Sequence, residues 1–192
     1  MTRREEWMAK NRKNYSDYSD ILVISDASPI IYLNAIHKLH YLKDLFPAVY
    51  TTPKVREECS GVDFPEWIKI KEAPPSMVEF VGKAGFGGGE KTAIALALHI
   101  DSLLYENTEN KQYKPCLVLD EVEANKLYQK LNFSMKTIKI RDVLSFAYDK
   151  QFFTKEEGEE IIELGNKTRE FKKNDIMIIF NDTTTKNRGI KR

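Results

Sequence analysis

The hydrophobic positions fall into short blocks, and the spacing within each block predicts the element it builds. Ile21–Ser25, ILVIS, is an unbroken β-branched run of the kind that forms a strand buried on both faces. Asp-Ala-Ser-Pro follows, and then apolar residues at Ile30, Ile31, Leu33, Ala35 and Ile36, which repeat with helical spacing. Ser28 is expected to cap that helix and Pro29 to be its first residue, where a missing N–H costs nothing. Residues 38–46, KLHYLKDLF, give a second helical stretch and AVYTT a second strand, after which Pro53 starts a short helix carrying KVREEC. The pattern loosens over residues 64–75, where WIKIKEA between prolines predicts an edge strand, and residues 76–82 predict a short helix.

GFGGGEKTAIALALHI then reads as a glycine loop opening a strongly apolar helix. After an irregular insert at 105–114 comes CLVLD, a buried-strand pattern, followed by a helix over 121–131, a strand in MKTIKI and a helix over 141–152. In TKEEGEEIIEL, Thr154 and Glu157 have the spacing of a capping box. NDIMIIFND suits a late strand or a last buried helical turn. Strands alternating with helices predict an α/β fold, an α/β/α sandwich with a central parallel sheet. The polar first 20 residues are expected to form an N-terminal arm, residues 21–182 the domain, and residues 183–192, TTTKNRGIKR, a flexible basic tail.

Composition narrows the picture. At 192 residues the chain supports one substantial core, and no apolar run approaches the ~20 residues that span a bilayer, so a cytoplasmic protein without membrane contact is expected. Cys59 and Cys116 are too far apart for a zinc knuckle or a redox pair and read as reduced packing residues. Thirty Lys and Arg against 29 Asp and Glu leave a net charge of +1, which supplies no global field for nucleic acid. Any such contact has to be local, from Lys54, Arg56, Lys83, Lys91 and Lys126 and from the tail's Lys186, Arg188, Lys191 and Arg192. Phe64, Trp67 and Phe86 could stack on bases, though aromatic residues near loops more often cap a core.

The carboxylates carry the candidate chemistry. Open parallel sheets bind ligands beyond the carboxyl ends of their strands, and the two most apolar strands both end in aspartate, Asp26 and Asp120. Glu90 opens a helix behind three glycines, and Glu58 lies on the helix begun at Pro53. Carboxylates gathered at one edge repel unless a cation intervenes, so the set points to a hard divalent ion, Mg2+ or Mn2+, and to phosphodiester hydrolysis. Taken singly, Asp26 and Asp120 also suit acidic helix caps, Glu90 a partner of a helix dipole, and Glu57 and Glu58 a solvated helix face. A dinucleotide fingerprint in Gly85, Gly87 and the following glycines fails because Glu90 would repel a pyrophosphate. His37 and His40 lack a third ligand for a metal.

DASPIIYLNAIHKLHYLKDLFPAVYTTPKVREE, GGGEKTAIALAL and LVLDEVEANKLYQKL, in that order, resemble the PIN-domain proteins, especially the prokaryotic branch that begins with an Asp-Ala-Ser-Pro-like motif. The resemblance covers roughly residues 21–165. It implies a parallel sheet between helices with an acidic cluster at its carboxyl edge, and a Mg2+- or Mn2+-dependent endoribonuclease, often the toxin of a toxin-antitoxin pair. It assigns Asp26 as first acid with Ser28 its hydroxyl companion, and makes Glu58, Glu90 and Asp120 the other acids, with Asp26, Glu90 and Asp120 as metal ligands. The family role of these acids is to hold metal and orient water for attack on RNA. RNA, a protein antitoxin and a second copy of the chain are the implied partners. The chain departs from the pattern in three places. Val-Leu-Asp-Glu replaces the usual Thr-x-Asp, which leaves Glu121 either a supplement to Asp120 or the start of a helix. Glu57 adjoins Glu58 and could exchange roles with it, and the insert at 105–114 is longer than the branch leads one to expect. A catalytically silent PIN scaffold that binds RNA or a protein is the competing reading.

Overall fold

The structure, a computed structural model, describes residues 18, 20–106, 113–120, 124, 127–129 and 135–167. Five strands, β1 Ile21–Ser25, β2 Ala48–Thr51, β3 Ile68–Ile70, β4 Lys114–Val118 and β5 Lys136–Ile138, form one sheet in the order β3-β2-β1-β4-β5. Every pairing is parallel. The helices are α1 Ala27–Ala35, α2 Tyr41–Leu45, α3 Pro53–Glu58, α4 Pro75–Lys83, α5 Gly88–Glu106, α6 Ile140–Asp149 and α7 Lys155–Lys167. Residues 124 and 127–129, between β4 and β5, are also helical.

β1 is central because its run of apolar residues can be buried on both faces: Val23 and Ile24 are fully enclosed, as are Leu117 and Val118 beside them on β4. α5 packs on β1, β4, α3 and α4, while α2 packs on β2 and α6. The chain winds from β1 outward to β3 and then crosses back to β4. With right-handed crossovers, that reversal makes the crevice between the carboxyl ends of β1 and β4 the switch point of the sheet. The expected α/β architecture with a central parallel sheet is therefore present, and no described helix is long and apolar enough to cross a membrane.

Local differences have local causes. α1 begins at Ala27, not Pro29, and its N-cap is Asp26, whose backbone is still extended at φ −75° and ψ 176°. Ser28 is thus an exposed first-turn residue, and Pro29 sits where its absent N–H is still surplus to the helix ladder. The helix expected over 38–46 shortens to α2, because His37 turns left-handed at φ 57° and Lys38 N–H donates to Leu33 O at 2.7 Å, which closes α1 first. His37 and His40 consequently occupy the exposed turn between two helices and share no helical face. Phe86 is buried and Phe64 and Trp67 pack partly against the core, so the three serve as packing residues. The capping box at Thr154 and Glu157 is present, with Thr154 N–H donating to Glu157 Oε2 at 2.7 Å and Glu157 N–H to Thr154 Oγ1 at 3.3 Å. Both cysteines are buried free thiols. Residues 1–17, 107–112, Glu121, Lys126, NDIMIIFND and the tail 183–192 lie outside the described residues.

Candidate active site at the carboxyl edge of the sheet

β1 and β4 run side by side with Ser25 opposite Val118, so the next residues, Asp26 and then Leu119 and Asp120, emerge at the switch point together. Asp26 N–H donates to Val118 O at 3.2 Å, which ties the start of its turn to the neighbouring strand. Its side chain is only 4% exposed and makes no capping bond to α1. Asp120 is half-buried, and its Oδ1 accepts Ile140 N–H at 3.4 Å, at the entry to α6. One strand-end aspartate is therefore engaged with a helix N-terminus, and it is the less buried of the two. Beneath Asp26, Thr51 Oγ1 donates to Ser25 O at 2.9 Å and Ser25 Oγ donates to Asp26 O at 3.0 Å, so hydroxyls from two strands fix the turn that carries the carboxylate.

Glu58 and Glu90 arrive from two helices held against each other. Thr52 caps α3, its Oγ1 accepting Val55 N–H at 3.2 Å, and Pro53 occupies the first helical position. The last residue of α3 is Glu58, whose Oε1 accepts Gly89 N–H at 2.8 Å in the first turn of α5. An anion is well placed at that positive helix end. Two glycines are needed here: Gly88 has φ +47°, and a Cβ on Gly89 would collide with Glu58 Oε2 and approach Val55 Cγ2 to 3.1 Å. Glu90 follows immediately in the same first turn. Glu57 instead makes an exposed ion pair with Lys54 at 3.0 Å, so Glu58 is the one of the two neighbours that faces α5.

Cys59 connects the two sides of the edge. Its thiol is 2% exposed and lies 3.8 Å from Ala27 O. Burial, and then the negative charges of Asp26 and Glu58, push it up to about 11 from the ordinary 9.0. Asp26 and Glu58 thus act on the same small volume although they come from different elements.

The donor set, four carboxylates with neighbouring hydroxyls, is that of a hard oxygen-liking dication. Its spacing is looser than the sequence led one to expect. Among the described residues, no three acidic, histidine or cysteine side chains converge on a point that could hold an ion, so Asp26, Glu90 and Asp120 do not form a ready-made metal cluster. Part of the reason is that Glu58 and Asp120 each accept a backbone N–H. Gathering an ion here would require carboxylates to turn toward one another; the chemistry of the ligands fits, and Glu121 is outside the described residues.

Three hydroxyl residues escaped the sequence reading, namely Thr51, Thr52 and Thr92. Their only signals are the pair of threonines before Pro53 and a threonine two residues after Glu90. Thr52 Oγ1 and Thr92 Oγ1 stand 2.7 Å apart, and Thr92 Oγ1 donates to Gly89 O at 2.9 Å. Elsewhere on α5, an apolar groove of about 620 Å³ is lined by Leu22, Tyr50, Lys69, His99, Leu103 and Tyr113 among others, and none of the candidate acids borders it.

Over residues 22–136 the chain matches the family described as a PIN domain. No curated protein and no solved structure matches it.

Proposed function

The chain belongs to the PIN-domain family, whose domains are in general nucleases, and on that premise we propose that it is an endoribonuclease hydrolysing RNA phosphodiesters with a Mg2+ or Mn2+ ion at the carboxyl edge of its sheet. The observation that carries the reading is the emergence of Asp26 and Asp120 side by side at the switch point of a parallel sheet, the position where open α/β sheets do their chemistry. Asp26, Glu90 and Asp120 would hold the ion, and Glu58 completes the acidic set from α3. When bound, the ion supplies charge to offset that developing on the phosphate and lowers the pKa of an attacking water. Asp26 offers its carboxylate from a buried turn whose backbone is braced by two hydroxyls, so turning toward an ion is left to the side chain alone. Glu58 and Glu90 accompany each other because the same turn of α5 binds one and bears the other. Ser28, exposed in the first turn of α1, is within the same loop-to-helix segment and is proposed to contact a phosphate oxygen.

The resemblance to toxin-type members extends the proposal to a toxin restrained by a protein antitoxin, with a homodimer as the working assembly. The decisive experiment is cleavage of a mixed pool of structured and single-stranded RNA with Mg2+, Mn2+ or chelator, comparing the wild type with Asp26→Asn and Asp120→Asn. Cleavage that needs the metal and disappears in both variants is the expected result. A folded wild type indistinguishable from both variants would instead favour the silent scaffold, a reading consistent with the unconverged carboxylates.

A further inference from the structure

The acidic edge contains a hydrogen-bond chain whose direction can be worked out from its ends. Val55 N–H can only donate, so Thr52 Oγ1 accepts there. Gly89 O can only accept, so the Thr92 hydroxyl donates there. The 2.7 Å contact between the two hydroxyls must then have Thr52 as donor and Thr92 as acceptor. The chain runs Val55 N–H to Thr52 to Thr92 to Gly89 C=O and uses each hydroxyl once as donor and once as acceptor. Gly89 N–H is meanwhile held by Glu58. Both polar groups of Gly89 are therefore bound to α3, one directly and one through two threonines, and the carbonyl of Gly89 lies in the rigid peptide plane that leads to Glu90.

We propose that Thr92, anchored by Thr52, is a positioning residue that fixes the peptide before Glu90 and so aims the Glu90 carboxylate at the acidic edge. The consequence for catalysis rests on the nuclease reading above; the clamp itself does not. Helix stability is a poor explanation for Thr92. A threonine hydroxyl bonded back to the preceding turn weakens a helix slightly, and alanine, as at the buried neighbours Ala93, Ala95 and Ala97, is the better helix former. The threonine acquires a purpose only through its partner 40 positions away on another element.

The test uses the full chain with Thr92→Val, which keeps the shape and removes the hydroxyl, Thr92→Ala as a second deletion, and Thr92→Ser as the rescue. Ser102→Ala is the control, because Ser102 Oγ donates to His99 O at 2.8 Å, the same kind of bond farther along α5. Two quantities are read: kcat and KM on RNA, and hydrogen exchange at the Gly89 amide. Thr92→Val and Thr92→Ala are expected to lower kcat about 10-fold with little change in KM, in the range of lost supporting hydrogen bonds around an active site, and to speed Gly89 exchange. Thr92→Ser should restore both readouts and Ser102→Ala should alter neither. Unchanged Gly89 exchange in the two deletions overturns the clamp, as does an equal loss of kcat in Ser102→Ala. If the wild type cleaves no RNA, the nuclease reading falls, and exchange alone still decides whether Thr92 holds the turn.

Discussion

α5 passes two regions of opposite character along its length. In its first turn, Gly88 to Thr92, polar groups are tied to α3 and its cap: Glu58 accepts Gly89 N–H, Thr92 donates to Gly89 O, and Thr52 donates to Thr92. From Leu96 onward the same helix borders an apolar groove of about 620 Å³ with Lys69 and Lys71 at its margin. Leu96 is six residues beyond Glu90, about 9 Å along the axis at 1.5 Å per residue, so the two regions are neighbours with separate linings. The groove is bordered by none of the candidate acids, and the first turn of α5 carries Glu90 and binds Glu58. Free volume thus need not coincide with the strand ends and helix N-termini where open α/β sheets in general place their ligands.

The sharpest way to break this contrast is to disable the polar end. Asp26→Asn is expected to reduce RNA cleavage by ~10²-fold or more, as removal of a group directly engaged in acid-base or metal chemistry does, and chelation of divalent ions should reduce it comparably. Initial rates on a fixed RNA at saturating Mg2+ check both. A smaller but structural effect is expected from Gly89→Ala. The new Cβ would strike Glu58 Oε2 and crowd Val55 Cγ2, and the carboxylate, being the end of a flexible side chain, would swing away and give up Gly89 N–H. The expected cost is about 1–2 kcal/mol in a denaturant titration, together with reduced cleavage.

Buried thiol and phenol groups of the fold give a pH signature. Burial is the main cause that raises the Cys116 thiol from 9.0 to about 12, as it is for Cys59 at about 11, and Tyr41 rises from 10.0 to about 12 by burial and then the charges of Glu157 and Asp44. All three are raised in the folded chain, so the folded state keeps its protons after the unfolded state has lost them. Stability is then complete below about pH 9 and declines as pH rises from 9 toward 12. Denaturation midpoints at pH 8, 9.5 and 10.5 should fall in that order, and Cys116→Ala, although less stable throughout, should show a shallower decline.

What could be read from the chain alone follows the same division. ILVI and CLVL announced two buried strands because a strand covered on both faces needs uninterrupted apolar residues, and the parallel sheet followed from their alternation with helices. The start of α1 was misplaced because Ser28-Pro29 is a good local cap, and only the pairing of β1 with β4 reveals that the turn comes two residues sooner. Glu57 and Glu58 could not be separated until Gly89 and Lys54 each selected one. Asp120 reaches Ile140 across 20 positions and Thr52 reaches Thr92 across 40, distances over which no local pattern carries information. That Asp26 and Asp120 follow two neighbouring strands was legible; that Glu58 and Asp120 accept backbone N–H groups was not.

The mildest prediction concerns the groove and tests the contrast from its other side. Leu103 lies on the groove wall and is 49% exposed, so its replacement by Asn removes apolar surface that water already touches and leaves no enclosed cavity. A change of that kind away from caps, cores and bonded networks usually alters stability by no more than about 0.5 kcal/mol. Cleavage should likewise stay within about twofold of wild type, since about 9 Å or more of helix separates the groove lining from Glu90 and no hydrogen bond of the polar end passes through Leu103. The measurement is the same initial-rate assay, extended to KM. A rise in KM with kcat unchanged would mean that RNA continues past the acidic edge into the groove and binds there without taking part in the chemistry. The two regions would then be parts of one substrate path, and the separation drawn between them would fail.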